Sequence, residues 1–318
     1  MLIETESQTR SEALARPRTG LAAATWERVA LSLVLLLAAV LDFWQLNLVG
    51  FGNTYYAAAV KSMLQNWHAF LFNSFDSLGF VTIDKPPLGF WIQAASARVF
   101  GFNGLSLMLP QALAGVLSVA LLYYLVRRVF GVVAGLLAAL ALAVMPVSVA
   151  ASRNNIIDGL LVLTVLLAAW AVTRAVETGR LRWLLLCAVL VGLGFNIKML
   201  EAYLVVPAFG LLYVLGAPVR WWARLGHLAV ATVVLLAISL SWATTVDLTP
   251  AGARPYVGSS GTNSELNLAL GYNGLNRLTG NVFGRGRRAV TGDRVPRAPR
   301  AKRRATSRPG RSICSATA

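Results

Sequence analysis

Leu105 to Val126 and Val129 to Ser152 are consecutive runs without a charged residue, parted only by Arg127 and Arg128. A segment of roughly 17–25 apolar residues crosses the hydrocarbon core of a bilayer, where the backbone must satisfy its own hydrogen bonds. Similar runs recur along the chain: Val29 to Gly52 with one charge, Asp42, then Gly159 to Thr173, Trp183 to Ile197, Ala202 to Val219 and Leu225 to Val246. With 57% hydrophobic and 13% charged residues, the composition excludes an ordinary soluble globule. The expected fold is all-α: a polytopic membrane helical bundle of about seven spans. From Trp183 to Val219 the apolar stretch is too long for one span at about 1.5 Å per residue, so the chain must turn near Lys198 and Glu201, at a membrane surface.

The short loops set the orientation. Arg10, Arg16, Arg18 and Arg28 precede the first span, and Arg127–Arg128, then Arg174, Arg180 and Arg182, then Arg220 and Arg224, occupy alternate connections. Basic loops stay cytoplasmic, so the N-terminus is expected inside the cell (plasma) membrane, with the first span an uncleaved anchor. On that topology Asp42, Asp76, Asp84, Asp158, Glu201, Asp247 and Glu265 all fall on the outer side. Polar loops carry charges as a matter of course, but Asp42 and Asp158 sit at span ends, where an ionised group is costly and usually functional.

The external segment from Phe51 to Asn103 is long for a structureless loop. In "NTYYAAAVKSMLQNW", Tyr56, Ala59, Val60, Met63, Leu64 and Trp67 make a helical stripe, with Asn53 as its N-cap, which reads as a helix lying flat at the interface. Pro86 and Pro87 then begin a second short helix, "PLGFWIQAASARVFG". The prolines stiffen the chain before them and present Asp84 and Lys85 at that helix's N-terminus, an end that attracts anions. A lysine and a carboxylate at the outer edge of the lipid suit a lipid that carries a phosphate; a plain surface ion pair is the competing explanation.

These elements, in this order, resemble the family 39 membrane glycosyltransferases, which include protein O-mannosyltransferases and bacterial aminoarabinose transferases. The resemblance rests on "NTYYAAAVKSM", "DKPPLGFW", "FGFNGLSLMLPQALAGVLSVALLYYLVRRVFG", "RNNIIDGLLVL" and "GLGFNIKMLEAYLVVP", and covers about Leu33 to Asn281. It implies inverting transfer of a sugar from a polyprenyl-phosphate donor to an acceptor glycan, lipid or protein at the outer membrane face. By position, it implies that Lys85 and Lys198 are the family's basic residues and that Asp158, flanked by Arg153, Asn154 and Asn155, is its acid after the third span. Many members carry an Asp-Glu pair after the first span, where this chain has Gly52 and Asn53, so the catalytic base is expected to be Asp84 or Asp158, or else Asp42. Asn53, Tyr56 and Trp91 complete the candidate substrate-binding set, although tryptophans at interfaces commonly serve as anchors.

No cofactor is expected: external carboxylates could hold Mg²⁺ or Mn²⁺, but no spacing demands a metal. Cys187 and Cys314 suggest no disulfide. A lipid-linked-substrate transporter or a non-catalytic scaffold are the alternative classes; no paired internal repeat supports the former.

Three regions are expected: a cytoplasmic segment 1–28, a membrane-embedded transferase region 29–284, and a tail 285–318. The tail holds 11 of the 29 basic residues, which inflates the net charge of +16. Its Arg, Pro, Ala and Ser mixture has no apolar periodicity and reads as disordered, out-of-frame sequence rather than a nucleic-acid-binding arm. On that reading the chain is a truncated member of the family, possessing fewer spans than its relatives.

Overall fold

The computed structural model describes residues 19–275. The segments 1–18 and 276–318, including most of the expected cytoplasmic segment and the whole basic tail, lie outside the described residues. Among the described residues the fold is helical, with two isolated β-bridges and no strand.

The helices are α1 (Thr19–Phe43), α2 (Thr54–Met63), α3 (Trp67–Leu71), α4 (Leu88–Phe100), α5 (Gly104–Val144), α6 (Pro146–Ser152), α7 (Asp158–Thr178), α8 (Leu181–Lys198), α9 (Val206–Gly216), α10 (Trp221–Leu248) and α11 (Glu265–Leu270). Five segments are long and apolar enough to cross a membrane: Thr25–Leu48, Gly104–Val144, Asp158–Thr178, Leu181–Gly216 and Trp221–Leu248. Two of these are broken where the sequence places a turn. Gly131, at φ 86, interrupts α5 just after Arg127 and Arg128, a conformation that glycine adopts without steric cost. The second half folds back so closely that a Cβ on Gly135 would lie 2.9 Å from the Arg127 Cβ. The other break is the tight turn Met199–Val205 between α8 and α9, entered through Met199 at φ 49. Expected runs three and six begin at these breaks, each following the helix before it without a long loop.

Packing follows chain order: α1 lies on α5, α5 on α7, α7 on α8, and α8 on α10. Small residues make the close approaches. Ala38, Ala139 and Ala143 surround Val119 and Tyr123, while Ala168, Ala171 and Ala175 of α7 meet Leu184, Cys187 and Val191 of α8. In lipid, where apolar surface gains little by leaving one hydrocarbon for another, such close backbone contact supplies the dispersion that holds helices together. The outward faces are correspondingly apolar, with Leu33 61% and Val233 67% exposed. With the family evidence given below, these faces make the chain a multi-pass membrane protein.

The two ends of the bundle differ in charge. At one, Glu27 accepts from Tyr123 at 2.7 Å and pairs with Arg127 at 2.9 Å, while Glu177 pairs with Arg128. The other end carries the short helices of the 51–103 segment. There the stripe predicted over Tyr56 to Trp67 forms two helices instead of one: α2 stops at Met63, and Asn66 accepts from the Ala69 N–H at 2.7 Å to start α3. This local cap outcompetes the apolar periodicity and leaves Trp67 73% exposed. The proline pair does begin a helix, with Pro87 as the N-cap of α4 and Gly101 ending it at φ 81. Phe80 and Thr82 exchange backbone hydrogen bonds with Tyr256, tying this segment to the chain after α10.

Candidate active site

The elbow before α4 gathers the first charged cluster. Lys85, only 5% exposed, directs its Nζ to Asp84 Oδ2 at 2.9 Å and to Asn273 Oδ1 at 2.8 Å. The Tyr272 ring lies 5.6 Å from the ammonium, close enough for a cation–π contact. Asn273 also donates to the Asp84 carbonyl at 2.8 Å, so one amide clamps both residues of the elbow. From the other side, buried Asn73 donates to the Lys85 carbonyl at 2.7 Å. Tyr55 stands beside Asp84; burial first, and then the Asp84 charge, push its phenol up to about 12. It is therefore a neutral hydroxyl at physiological pH. Sequence reasoning named Asp84 and Lys85 but missed Tyr55, Tyr272 and Asn273.

The second cluster forms where α8 ends. Lys198 Nζ binds Asp158 Oδ1 at 2.5 Å and Glu201 at 2.7 Å. Asp158 opens α7, an end of the helix dipole that favours a carboxylate. Glu201 lies three residues after Lys198, in the turn that follows α8. Gly89 links the clusters: a Cβ there would lie 2.5 Å from Ile157 Cγ2 and 3.7 Å from Ile197 Cγ2. The first turn of α4 thus rests directly on the residues preceding Asp158 and Lys198.

Arg153, Asn154 and Asn155 bind main chain. Arg153 donates to the Leu41 and Trp44 carbonyls at 2.9 and 2.7 Å, closing off α1. Asn155 accepts from the Asn53 N–H at 2.7 Å and donates to the Asn53 carbonyl at 3.0 Å; Asn154 accepts from the same N–H at 3.2 Å. Gly52, at φ +64, has Asn154 Oδ1 2.7 Å from where a Cβ would stand. A side chain at Gly52 would have to displace the ends of Asn154 and Met108 and adopt a strained backbone. Asn53 itself caps α2, accepting from Tyr55 and Tyr56 N–H groups at 3.0 and 3.3 Å.

Tyr56 packs on Phe90, and Trp91 stacks on Phe70 while its indole donates to the Phe70 carbonyl at 2.7 Å. Asp42 is buried, hydrogen-bonded to Ser152 and close to Arg153. The structure therefore brings Asp84 to Lys85 and Asp158 to Lys198, while the other candidates hold segments around them. Among the described residues no three His, Cys, Asp or Glu side chains converge as metal ligands.

One further acid stands near this end. Glu265 is 0% exposed, and neither carboxylate oxygen has a hydrogen-bond partner among the described residues. Burial, and secondarily the neighbouring Asp247, raise it to about 8, with Arg254 opposing.

Comparison with known proteins places this geometry. A family model described as dolichyl-phosphate-mannose-protein mannosyltransferase matches residues 84–242, from Asp84 through both lysine clusters into α10. YycA of Bacillus subtilis (strain 168), named "Putative mannosyltransferase", is 50% identical over 255 residues, covering 80% of this chain and 37% of YycA. YkcB of the same organism, with the same description, is 47% identical over 265 residues, 83% of this chain and 37% of YkcB. An undecaprenyl phosphate-alpha-4-amino-4-deoxy-L-arabinose arabinosyl transferase of Pseudomonas paraeruginosa is 33% identical over 174 residues, 53% of this chain and 32% of its own. The crystal structure of ArnT from Cupriavidus metallidurans in the apo state superposes with a TM-score of 0.55 at 25% identity, covering 71% of this chain and 42% of that one. The chain spans 37% of the length of the Bacillus relatives it matches. It belongs to the dolichyl-phosphate-mannose-protein mannosyltransferase family, a family of membrane glycosyltransferases.

Proposed function

We propose that the chain serves inverting transfer of a sugar from a polyprenyl-phosphate donor to an acceptor at the outer membrane face. The observation that carries this reading is the buried Lys85, held at the start of α4 by Asp84 and Asn273. A cation already fixed in a low-dielectric setting stabilises a departing phosphate without reorganising when charge develops. The Pseudomonas relative is named for an undecaprenyl phosphate-linked sugar, which agrees with a lipid phosphate as the ligand of Lys85.

In this reading the acceptor attacks the anomeric carbon opposite the phosphate, and a carboxylate takes the acceptor's proton. Asp84 and Asp158 are the candidates, each already oriented by a lysine. Lys198 orients Asp158 through its ion pair and adds positive charge near the leaving group, while Asn53, Asn154, Asn155 and Arg153 hold the segments that carry them. Tyr56 and Trp91 form the aromatic wall of α2 and α4. Residues 29–284 then constitute the N-terminal part of the membrane-embedded transferase region, with the end bearing α2–α4 facing out of the cell.

Binding and turnover separate the roles. Lys85→Ala lowers polyprenyl-phosphate affinity by about tenfold or more, as expected on losing a charge-assisted contact, measured by native mass spectrometry of the purified chain. Asp158→Asn or Asp84→Asn retains donor binding but abolishes transfer. Unchanged affinity in Lys85→Ala, or normal transfer in both carboxamide variants, overturns the assignment.

A further inference from the structure

A cavity of about 230 Å³ lies between α5, α6 and α7, with Asp158 in its lining. Its lining combines apolar Leu142 and Val162, the hydroxyl residues Ser118 and Ser148, and the carboxylate residue Asp158. Val162 and the neighbouring lining residue Val147 are exposed on the outer surface of the bundle, so the cavity opens sideways, among the outward apolar faces described above. The Ser118 hydroxyl donates to the Ala114 carbonyl at 2.7 Å, which leaves its lone pairs to accept. Lys198 occupies Oδ1 of Asp158, leaving Oδ2 as an acceptor.

This is an unusual combination for a helix interface in lipid. An apolar cleft alone would fill with bilayer chains; Asp158, already held by Lys198 through Oδ1, adds to this one a charged acceptor that can take a hydrogen bond from an occupant. The volume lies below the about 300–1,000 Å³ of a pocket for a drug-sized molecule, so it suits a single chain with a small head rather than a sugar and lipid together. The side opening means that such a molecule arrives within the membrane.

We propose that this cavity seats the acceptor, and that the acceptor is a membrane-dissolved amphiphile bearing an alcohol. The hydroxyl donates to Asp158, and the apolar chain lies against Leu142 and Val162. The proposal rests on the reading of Asp158 as the base and names the acceptor class it serves. On transfer, the bond from the alcohol oxygen to the anomeric carbon forms as the bond from that carbon to the phosphate oxygen breaks. The alcohol proton passes to Asp158, and polyprenyl phosphate leaves.

The test uses the purified full chain in lipid nanodiscs with a diazirine-bearing hexadecanol and its methyl ether, which cannot donate a hydrogen bond. Labelled positions are found by peptide mass spectrometry. The alcohol is expected to label the walls around Leu142 and Val162 about tenfold more than the ether, as one hydrogen bond to a charged group provides. Ala151→Phe and Val162→Trp, which fill the cavity, should remove that preference while polyprenyl-phosphate binding persists. Persisting donor binding also shows that these variants are folded. Asp158→Asn should bring alcohol and ether to equal labelling. Equal labelling of the wild type, or labelling indifferent to both filling variants, overturns the proposal and makes the cleft a bilayer-chain contact. The donor reading fails separately, by unchanged polyprenyl-phosphate affinity in Lys85→Ala, which does not enter the labelling.

Discussion

Gly52 shows how a single residue redistributes the chemistry. With φ at +64 and Asn154 Oδ1 2.7 Å from the position of a Cβ, it fits a place where an acidic side chain would collide with the amides that hold Asn53. Gly52→Ala should lower thermal stability, at a cost of about 1–3 kcal/mol from the strained backbone, read as a lower melting temperature in detergent. An unchanged melting temperature would show that the Asn154–Asn155 grip yields easily. Lys85, Asp158 and Lys198 were legible from short motifs because each marks a helix end. Asn273 was not, since its bond to Lys85 joins positions 188 apart and one sequence carries no record of that distance. Nor did the motif reveal that Arg153 and Asn155 are engaged by main-chain groups; a polar run beside an acid reads the same whether it faces ligand or backbone.

At the scale of elements, the helices whose limits were read best are those bounded by prolines, glycines or charges, such as α4 between Pro87 and Gly101. The stripe through Trp67 misled because periodicity is indifferent to a cap such as Asn66 lying within it. Helix α11 was not foreseen, and it carries the buried Glu265. Its folded-state value of about 8 stands above its ordinary 4.5, so the folded protein binds the proton more tightly than the unfolded chain. Stability is then greatest below the ordinary value, declines as pH rises from about 4.5 to about 8, and levels off above. Glu265→Gln should flatten that decline and stabilise the protein at about pH 8.5 by roughly 1–3 kcal/mol, the cost of a buried group with no hydrogen-bond partner among the described residues. Melting curves of the two proteins from roughly pH 5 to roughly pH 9, a range that brackets that window, decide it; parallel curves would mean that Glu265 has no role in the dependence. The steric claim at Gly89 is open to the same treatment. Gly89→Val drives a side chain into Ile157, 2.5 Å from the would-be Cβ. It should cost about 1–3 kcal/mol by overpacking and weaken donor binding, because α4 carries the Lys85 elbow.

At the scale of the whole molecule, apolar runs revealed a bundle because lipid demands both length and self-satisfied hydrogen bonds, and those demands are written locally. The charges marked the two breaks, after Arg127–Arg128 and near Lys198, but not the backbone that makes them, Gly131 at φ 86 and the tight turn Met199–Val205. The resulting polarity of the bundle is nevertheless clear, with Glu27, Arg127, Arg128 and Glu177 at one end and Asp84, Lys85, Asp158 and Lys198 at the other. From the basic loops we propose that the first of these ends is cytoplasmic. This orientation is tested in intact cells with single-cysteine variants in a background lacking Cys187 and Cys314. Ser77 and Thr178 are both exposed and lie at opposite ends, so each reports on one side. A membrane-impermeant maleimide should label Ser77→Cys at once, and Thr178→Cys only after the membrane is permeabilised. The reverse pattern would turn the lysine clusters toward the cytoplasm, where the proposed transfer at the outer face could not occur.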